Sequence, residues 1–315
     1  MAKIWVAGEA LVDFFPVPGC KDLCFLAKPG GSPYNVAIGL ARLQVPVAYL
    51  SVLSSDFFGD LLLQRLQEHG VETEFVTRTS CPTALAFVLK RGRESDFAFY
   101  GHNTADTQLD PSRIPVQMPS EAEALHLGSL AMARPLSNKT LFNLMQRESS
   151  RLLVSFDPNV RPQLMNLEQY RAFFNELLPY IDILKLSSID YTYLTHSDTS
   201  TYIMKRWLNS GPQIILITYG KEGAKAFTKS FHVEVAGRPI DVIDPTGAGD
   251  AFMSAFLAAL YHVFGKLEKS ILSQIDQAIL YNSVFFSVRA AEITCMRIGA
   301  NPPWLHELDE YRFWE

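Results

Sequence analysis

The sequence predicts an α/β fold, a mostly parallel sheet covered by helices, with a small β-sheet inserted into it. Short apolar, β-rich runs alternate with segments of helical periodicity along most of the chain, and such alternation implies a parallel sheet with helices on its faces. Between about 75 and 100 the texture changes: strand-like runs follow one another with turns between them and no helix pattern to separate them. No low-complexity run, internal repeat or linker divides the chain.

The elements follow in order. Lys3–Ala7 reads as a buried strand that runs into Gly8-Glu-Ala-Leu-Val-Asp13, with Asp13 ending that strand segment. Cys24–Ala27 reads as a short strand. Pro29-Gly-Gly-Ser-Pro33 breaks the pattern, and a helix follows from Asn35 to Leu43 with Val36, Leu40 and Leu43 on one face. Ala48–Val52 is a strand, and Asp60–His69 a helix that stops at Gly70. Phe75–Thr77, Ala84–Lys90 and Phe97–Tyr100 form the small antiparallel sheet, with a turn at Arg91-Gly92-Arg93. Strands then recur at Ala124–Leu127, Leu152–Asp157, Ile183–Leu186 and Ile214–Thr218, alternating with helices at Ser137–Ser149, Leu167–Leu178 and Ser200–Asn209. Ala224–Thr228 and Phe231–Val235 make a hairpin. A helix apolar nearly all round runs to Phe264, and a last one covers Asp276–Glu292.

Composition removes several classes. With 315 residues, the prior is two units or one large domain with an addition. Hydrophobic residues at 48% and charged residues at 19% support a large core and exclude wholesale disorder. A net charge of −5 argues against a nucleic-acid partner, which calls for a basic surface. The apolar stretches Ala255–Phe264 and Ile279–Val288 stop short of the roughly 18 residues of a membrane span. Glu9 and Asp13 interrupt the apolar N-terminus, which does not read as a signal peptide. Cys20, Cys24, Cys81 and Cys295 are too scattered for a disulfide framework or a zinc site, and the expected setting is a reduced cytoplasm.

Four motifs carry chemistry. In Asp244-Pro-Thr-Gly-Ala-Gly-Asp250, small residues open directly into an apolar helix. That places unpaired amides at the positive end of a helix, an anion site to which a phosphate can approach closely. A carboxylate in the same turn would repel phosphate if binding were its only task. Asp250 is therefore expected to take the proton of a hydroxyl attacking that phosphate. Gly30-Gly-Ser-Pro-Tyr-Asn35, with Asp13, offers the backbone donors, amide and carboxylate that a polyol needs. Phe156-Asp-Pro-Asn-Val-Arg161 ends a strand where ligands of open α/β sheets bind, and Arg161 can neutralise phosphate oxygens. Thr218-Tyr-Gly-Lys-Glu-Gly223 also follows a strand and has glycines that could admit a nucleotide or simply form a hairpin turn. Neither a G-x-x-x-x-G-K-[ST] loop nor a G-x-G-x-x-G after the first strand is present.

These motifs together resemble the ribokinase-like (PfkB) sugar kinases, from the first strand nearly to the C-terminus. Asp244-Pro-Thr-Gly-Ala-Gly-Asp-Ala-Phe252 is similar to that family's C-terminal signature, and Gly30–Asn35 to its N-terminal one. The resemblance implies a three-layer α/β/α fold in one kinase domain spanning 1–315, with a discontinuous β lid from about 13–28 and 75–105. It implies that Asp13, Gly30, Gly31, Asn35 and Tyr100 hold the sugar, that Gly247, Ala248 and Gly249 form the anion hole with Arg161 assisting, and that Asp250 is the base. Asn159, Lys185, Ser187, Thr218, Gly220, Gly223 and Asn282, with Gly247 and Gly249, are implied at the nucleotide. The implied cofactors are ATP and Mg²⁺, and in many members K⁺. Asp190 stands where members carry a Glu that places Mg²⁺, and Asp244, Thr246, Thr294 and Gly299 match the K⁺ position. A homodimer through the lid is implied, with no nucleic acid and no membrane as partner.

Gly8–Asp13, Asn103-Thr-Ala-Asp106, Phe156–Arg161 and Gly299–Trp304 are similar to fructokinases in particular. Ketodeoxygluconate kinases and aminoimidazole riboside kinases share parts of these stretches. Gly101 follows Tyr100 where many members carry Arg, which disfavours an acidic sugar. The expectation is an ATP-dependent fructokinase, with those two acceptors and a non-catalytic sugar- or nucleotide-binding regulator as alternatives.

Overall fold

A computed structural model describes residues 1–17, 19–20, 22–91, 94–162, 165–195 and 201–314. The strands are β1 (Ile4–Ala7), β2 (Leu11–Pro16), β3 (Phe25–Gly30), β4 (Val47–Ser54), β5 (Val76–Thr79), β6 (Ala84–Arg91), β7 (Glu94–Tyr100), β8 (Ala124–Gly128), β9 (Leu153–Asp157), β10 (Ile183–Ser187), β11 (Ile214–Thr218), β12 (Ala224–Phe227) and β13 (His232–Val235). The helices are α1 (Ser32–Arg42), α2 (Phe57–Glu68), α3 (Pro135–Glu148), α4 (Leu167–Leu177), α5 (Ser188–Thr195), α6 (Thr201–Ser210), α7 (Ala248–Phe264) and α8 (Gln277–Cys295).

Among the described residues, nine strands pair in the order β13-β12-β11-β10-β9-β8-β1-β4-β5. The pairs from β5 to β11 are parallel, and β12 and β13 are antiparallel at one edge. β1 lies between β4 and β8, so the chain leaves β1 toward one side and later returns to the other. That reversal is the crevice at strand C-termini where ligands of open α/β sheets bind. One apolar core joins the sheet to α1, α2, α7 and α8, and a second joins the opposite face to α3, α4 and α6. The molecule is thus a three-layer α/β/α sandwich.

Helix starts explain several boundaries. Gly31 caps α1 and Pro33 lies in its first turn, where a missing N–H costs nothing, so α1 begins at Ser32 rather than the expected Asn35. Asp56 Oδ1 accepts from the Gly59 N–H and starts α2 at Phe57, ahead of the expected Asp60. Ser200, the expected start of the helix found at Thr201–Ser210, lies outside the described residues, as do Gly92 and Arg93 of the expected turn.

A second sheet has the order β3-β2-β6-β7 and corrects three expectations. Asp13 does not end the first strand but sits inside β2, a separate strand of this small sheet. Val76–Thr79 does not join the small sheet; it pairs in parallel with β4 at the edge of the large one, Ser51 opposite Val76. The small sheet is mixed, because β2 and β6 run parallel while β2–β3 and β6–β7 are antiparallel. Strand pairing over such distances is decided by tertiary packing, which local patterning does not report.

Candidate active site

The site lies at the C-terminal ends of the central strands, under the small sheet. Asp250, in the first turn of α7, has Oδ1 accepting from the Ser32 hydroxyl at 2.6 Å and Oδ2 accepting from Asn35 Nδ2 at 2.7 Å. Ser32 and Asn35 are one turn apart on α1, so two helix N-termini meet at one carboxylate. Burial raises the Asp250 pKa. The Ser32 and Asn35 hydrogen bonds and the charges of Lys185 and Arg161 offset only part of that rise.

Asp13 faces the same space. Burial, then the charges of Asp250 and Asp244, push its pKa up to about 7, while Arg161 pulls it down. A Cβ on Gly30 would lie 2.1 Å from Asp13 Oδ2, so only glycine leaves the carboxylate its place. Arg161 Nη1 donates to the Val160 carbonyl, and its charge bears on both Asp13 and Asp250. The structure thus brings together Asp13, Gly30, Gly31, Asn35, Arg161 and Asp250.

Gly247 caps α7 at φ +79, a left-handed conformation, and a Cβ there would lie 2.6 Å from Ala300 Cβ. The helix that follows supplies first-turn amides without intrahelical acceptors. The Ala248 N–H donates to the Pro245 carbonyl at 3.2 Å. Lys185 Nζ lies 2.8 Å from where a Cβ on Gly249 would stand and forms a buried ion pair with Asp157 Oδ2 at 2.7 Å. Burial alone would lower the Lys185 pKa; Asp157, Asp190 and Asp250 outweigh it and keep the amine charged. A cation and a helix N-terminus therefore converge where an anion would sit.

Asp244 and its neighbours form an oxygen-rich corner behind this loop. Asp244 Oδ1 accepts from the Thr246 N–H and hydroxyl, and Oδ2 from the Gly299 N–H at 2.8 Å. A carboxylate can take about four such contacts, so Asp244 keeps acceptor capacity beyond these three. The buried Thr294 hydroxyl donates to the Ala290 carbonyl inside α8, and the carbonyl of the next residue, Cys295, accepts from the Asp244 N–H. Asp190 does not fit a magnesium ligand. It is buried, its Oδ1 accepts from the Val160 N–H and its Oδ2 from the Ser187 N–H and hydroxyl, so the carboxylate ties α5 to the loop after β9. Those same bonds engage Ser187. Among the described residues no three His, Cys, Asp or Glu side chains group as a metal site.

Of the remaining expected positions, Thr218 pairs with Ser187 across β10 and β11 at the same strand ends, and Asn282 lies apart on α8. Asn159 follows β9 at φ 42 and donates to the Ser129 hydroxyl. Thr218 ends β11, with Gly220 and Gly223 both at positive φ in the turn that follows. Asn282 lines a pocket of about 570 Å³ with His232, Gln277 and Tyr281. Tyr100 is not brought to the sugar position. In the small sheet Asp13, Ala86 and Phe99 form a row on one face, whereas Tyr100 pairs with Leu85 on the other, against the Phe87 ring and 65% exposed. Sequence reasoning missed Ser32, whose i, i+3 spacing to Asn35 was a usable signal. It also missed Asp157 as the partner of Lys185, and Glu9. Glu9 is fully buried, accepts from the Ala131 N–H and is pushed up to about 7, chiefly by burial.

The model of the pfkB family carbohydrate kinases matches residues 1–307. A curated relative, fructokinase-1 of Zea mays, is 33% identical over 305 residues, covering 94% of this chain and 92% of its own. Fructokinase from Xylella fastidiosa with bound ATP superposes with a TM-score of 0.87 at 29% identity, over 99% of this chain and 98% of that one. A fructokinase double mutant from Vibrio cholerae O395 with fructose, ADP and potassium bound gives 0.85 at 25% identity, over 99% of each chain.

Proposed function

The chain belongs to the pfkB family of carbohydrate kinases and is an ATP-dependent sugar kinase, and we propose that its acceptor is fructose and its base Asp250. The observation that carries the reading is the Asp250 carboxylate, held by Ser32 and Asn35 in the first turn of α7 beside the Gly247–Gly249 loop. In this reading a primary hydroxyl of fructose attacks the γ-phosphorus of ATP. The O–P bond to the sugar forms, the bond to the ADP oxygen breaks, and the hydroxyl proton passes to Asp250. The α7 N-terminus, Lys185 and Arg161 offset charge on the transferring oxygens. Asp13 and Asn35 orient the sugar, with Gly30 and Gly31 allowing close approach.

ATP brings Mg²⁺ in this reading, with no protein ligand assigned because Asp190 is engaged. K⁺ is placed at Asp244 and Thr246, supported by the free acceptor capacity there and by the potassium-bound Vibrio relative. The Asp13 face of the small sheet acts as a lid that keeps water, a competing acceptor, from the phosphate. Its other face makes a homodimer. A cytoplasmic setting belongs to the same reading, and all four cysteines carry free thiols.

ADP release measured with fructose, 2-keto-3-deoxygluconate, aminoimidazole riboside and other ketoses tests the acceptor. Fructose should give the highest kcat/KM. A higher value for another acceptor replaces fructose and keeps the kinase, and turnover unstimulated by any sugar would leave a binding protein.

A further inference from the structure

A second polar pocket, of about 140 Å³, lies behind the catalytic loop, between β3, α1, α2 and residues 298–301. Lys28, Arg42 and Arg65 line it, and no acidic residue does. None of the three joins an ion pair among the described residues. Arg42 is buried, with Nη1 donating to Asn301 Oδ1 and the Pro302 carbonyl, Nη2 3.0 Å from His69 Nε2 and its plane 5.0 Å over Trp304; its Nε is buried without a partner. Burial, then the charges of Arg65 and Arg297, push the Arg42 pKa down to about 10, and Glu307, already paired with Arg297, offsets little of this. Three cations lining one pocket that has no acidic residue in its walls are unusual in a chain of net charge −5.

We propose that this pocket binds a small phosphate-type oxyanion between Lys28, Arg42 and Arg65. At about 30 Å³ per water, the volume accommodates a tetrahedral oxyanion with one or two waters. Guanidinium groups match its oxygens, and the mutual repulsion of the cations falls when it enters. The site is coupled to the reaction by contact. Ala300 lines the pocket and also packs on Gly247, the cap of α7, while the Lys28 stem runs against Gly299 beside Asp244.

The test is calorimetric titration of inorganic phosphate into the full-length protein saturated with a non-hydrolysable ATP analogue, which fills the catalytic anion hole. It needs no turnover, so its failure is distinct from failure of the fructokinase reading. Saturable binding near one per chain is expected, weakened tenfold or more by Arg65→Gln and by Lys28→Gln. Arg65→Gln should leave the melting temperature in phosphate-free buffer and the basal ADP release unchanged. Repeating the titration with a hexose monophosphate identifies the source, whichever of the two phosphates binds more tightly. Absence of saturable binding, binding equally tight in both variants, or phosphate binding abolished by the analogue would each overturn the site.

Discussion

At the residue scale, the reading turns on protons. Asp250→Asn keeps the shape and an acceptor for Ser32 or Asn35 but removes the base, so kcat should fall about 10³-fold or more with ATP affinity within a few-fold, measured by steady-state turnover and nucleotide titration. Near-wild-type turnover would remove Asp250 from the mechanism. Glu9 carries a stability prediction. Burial raises it from 4.5 to about 7, so the folded state holds the proton more tightly than the unfolded chain. Its contribution is therefore full below pH about 4.5 and lost as pH rises to about 7. Relative to wild type, Glu9→Gln should gain up to about 3 kcal/mol between pH 4.5 and 8, read from urea unfolding at both pH values. A difference independent of pH would mean that Glu9 is not held in this environment. The sequence made Asp250 and its glycines legible because they are contiguous. It left Ser32, Glu9 and the Lys185–Asp157 pair obscure, because their roles arise between distant segments.

At the element scale, the start of α7 joins backbone geometry to catalysis. Gly247→Ala places a Cβ at φ +79 and against Ala300, which should cost about 2 kcal/mol of stability and displace the amides of the loop. Unfolding midpoints together with kcat at a temperature well below them test this. Turnover should fall further than the folded fraction does, and an unchanged kcat would mean that the loop does not hold the transferring phosphate. The elements also show where local pattern stops informing. Apolar runs located most strands of the large sheet, and Gly70, left-handed, marked a helix end. Periodicity could not assign Val76–Thr79 to β4, nor say that Tyr100 and Asp13 face opposite ways, since both depend on register. Asp190 has the right type and place for an ion, yet three donors from Val160 and Ser187 claim it.

At the scale of the whole molecule, local arrays meet the anionic nucleotide, so a net charge of −5 does not oppose its binding. The four-stranded sheet is too small to stand alone, and its two faces differ in kind. One carries Asp13 toward the site. The other gathers Phe14, Phe25 and Phe87 into an aromatic cluster, with Phe14 stacked on Phe87 at 4.7 Å and Tyr100 at its margin. Phe14 also meets Phe58 of α2, while Tyr100 stays 65% exposed; an exposed aromatic beside open strand edges favours association, and a second copy of the same sheet presents the complementary surface. Sedimentation velocity at about 10 µM should therefore show a species of twice the 35.3 kDa of one chain. Tyr100→Glu, which sets a charge on that face and touches nothing near Asp250, should convert it to the single chain. A lone 35.3 kDa species in the wild type would sink the dimer and leave the lid to close as part of one molecule. If the dimer forms, the lid's outer face is anchored by its partner. Closure over the sugar then comes from the large domain swinging toward the lid, about the four segments that enter and leave the small sheet, at residues 8–10, 31, 80–83 and 101–104.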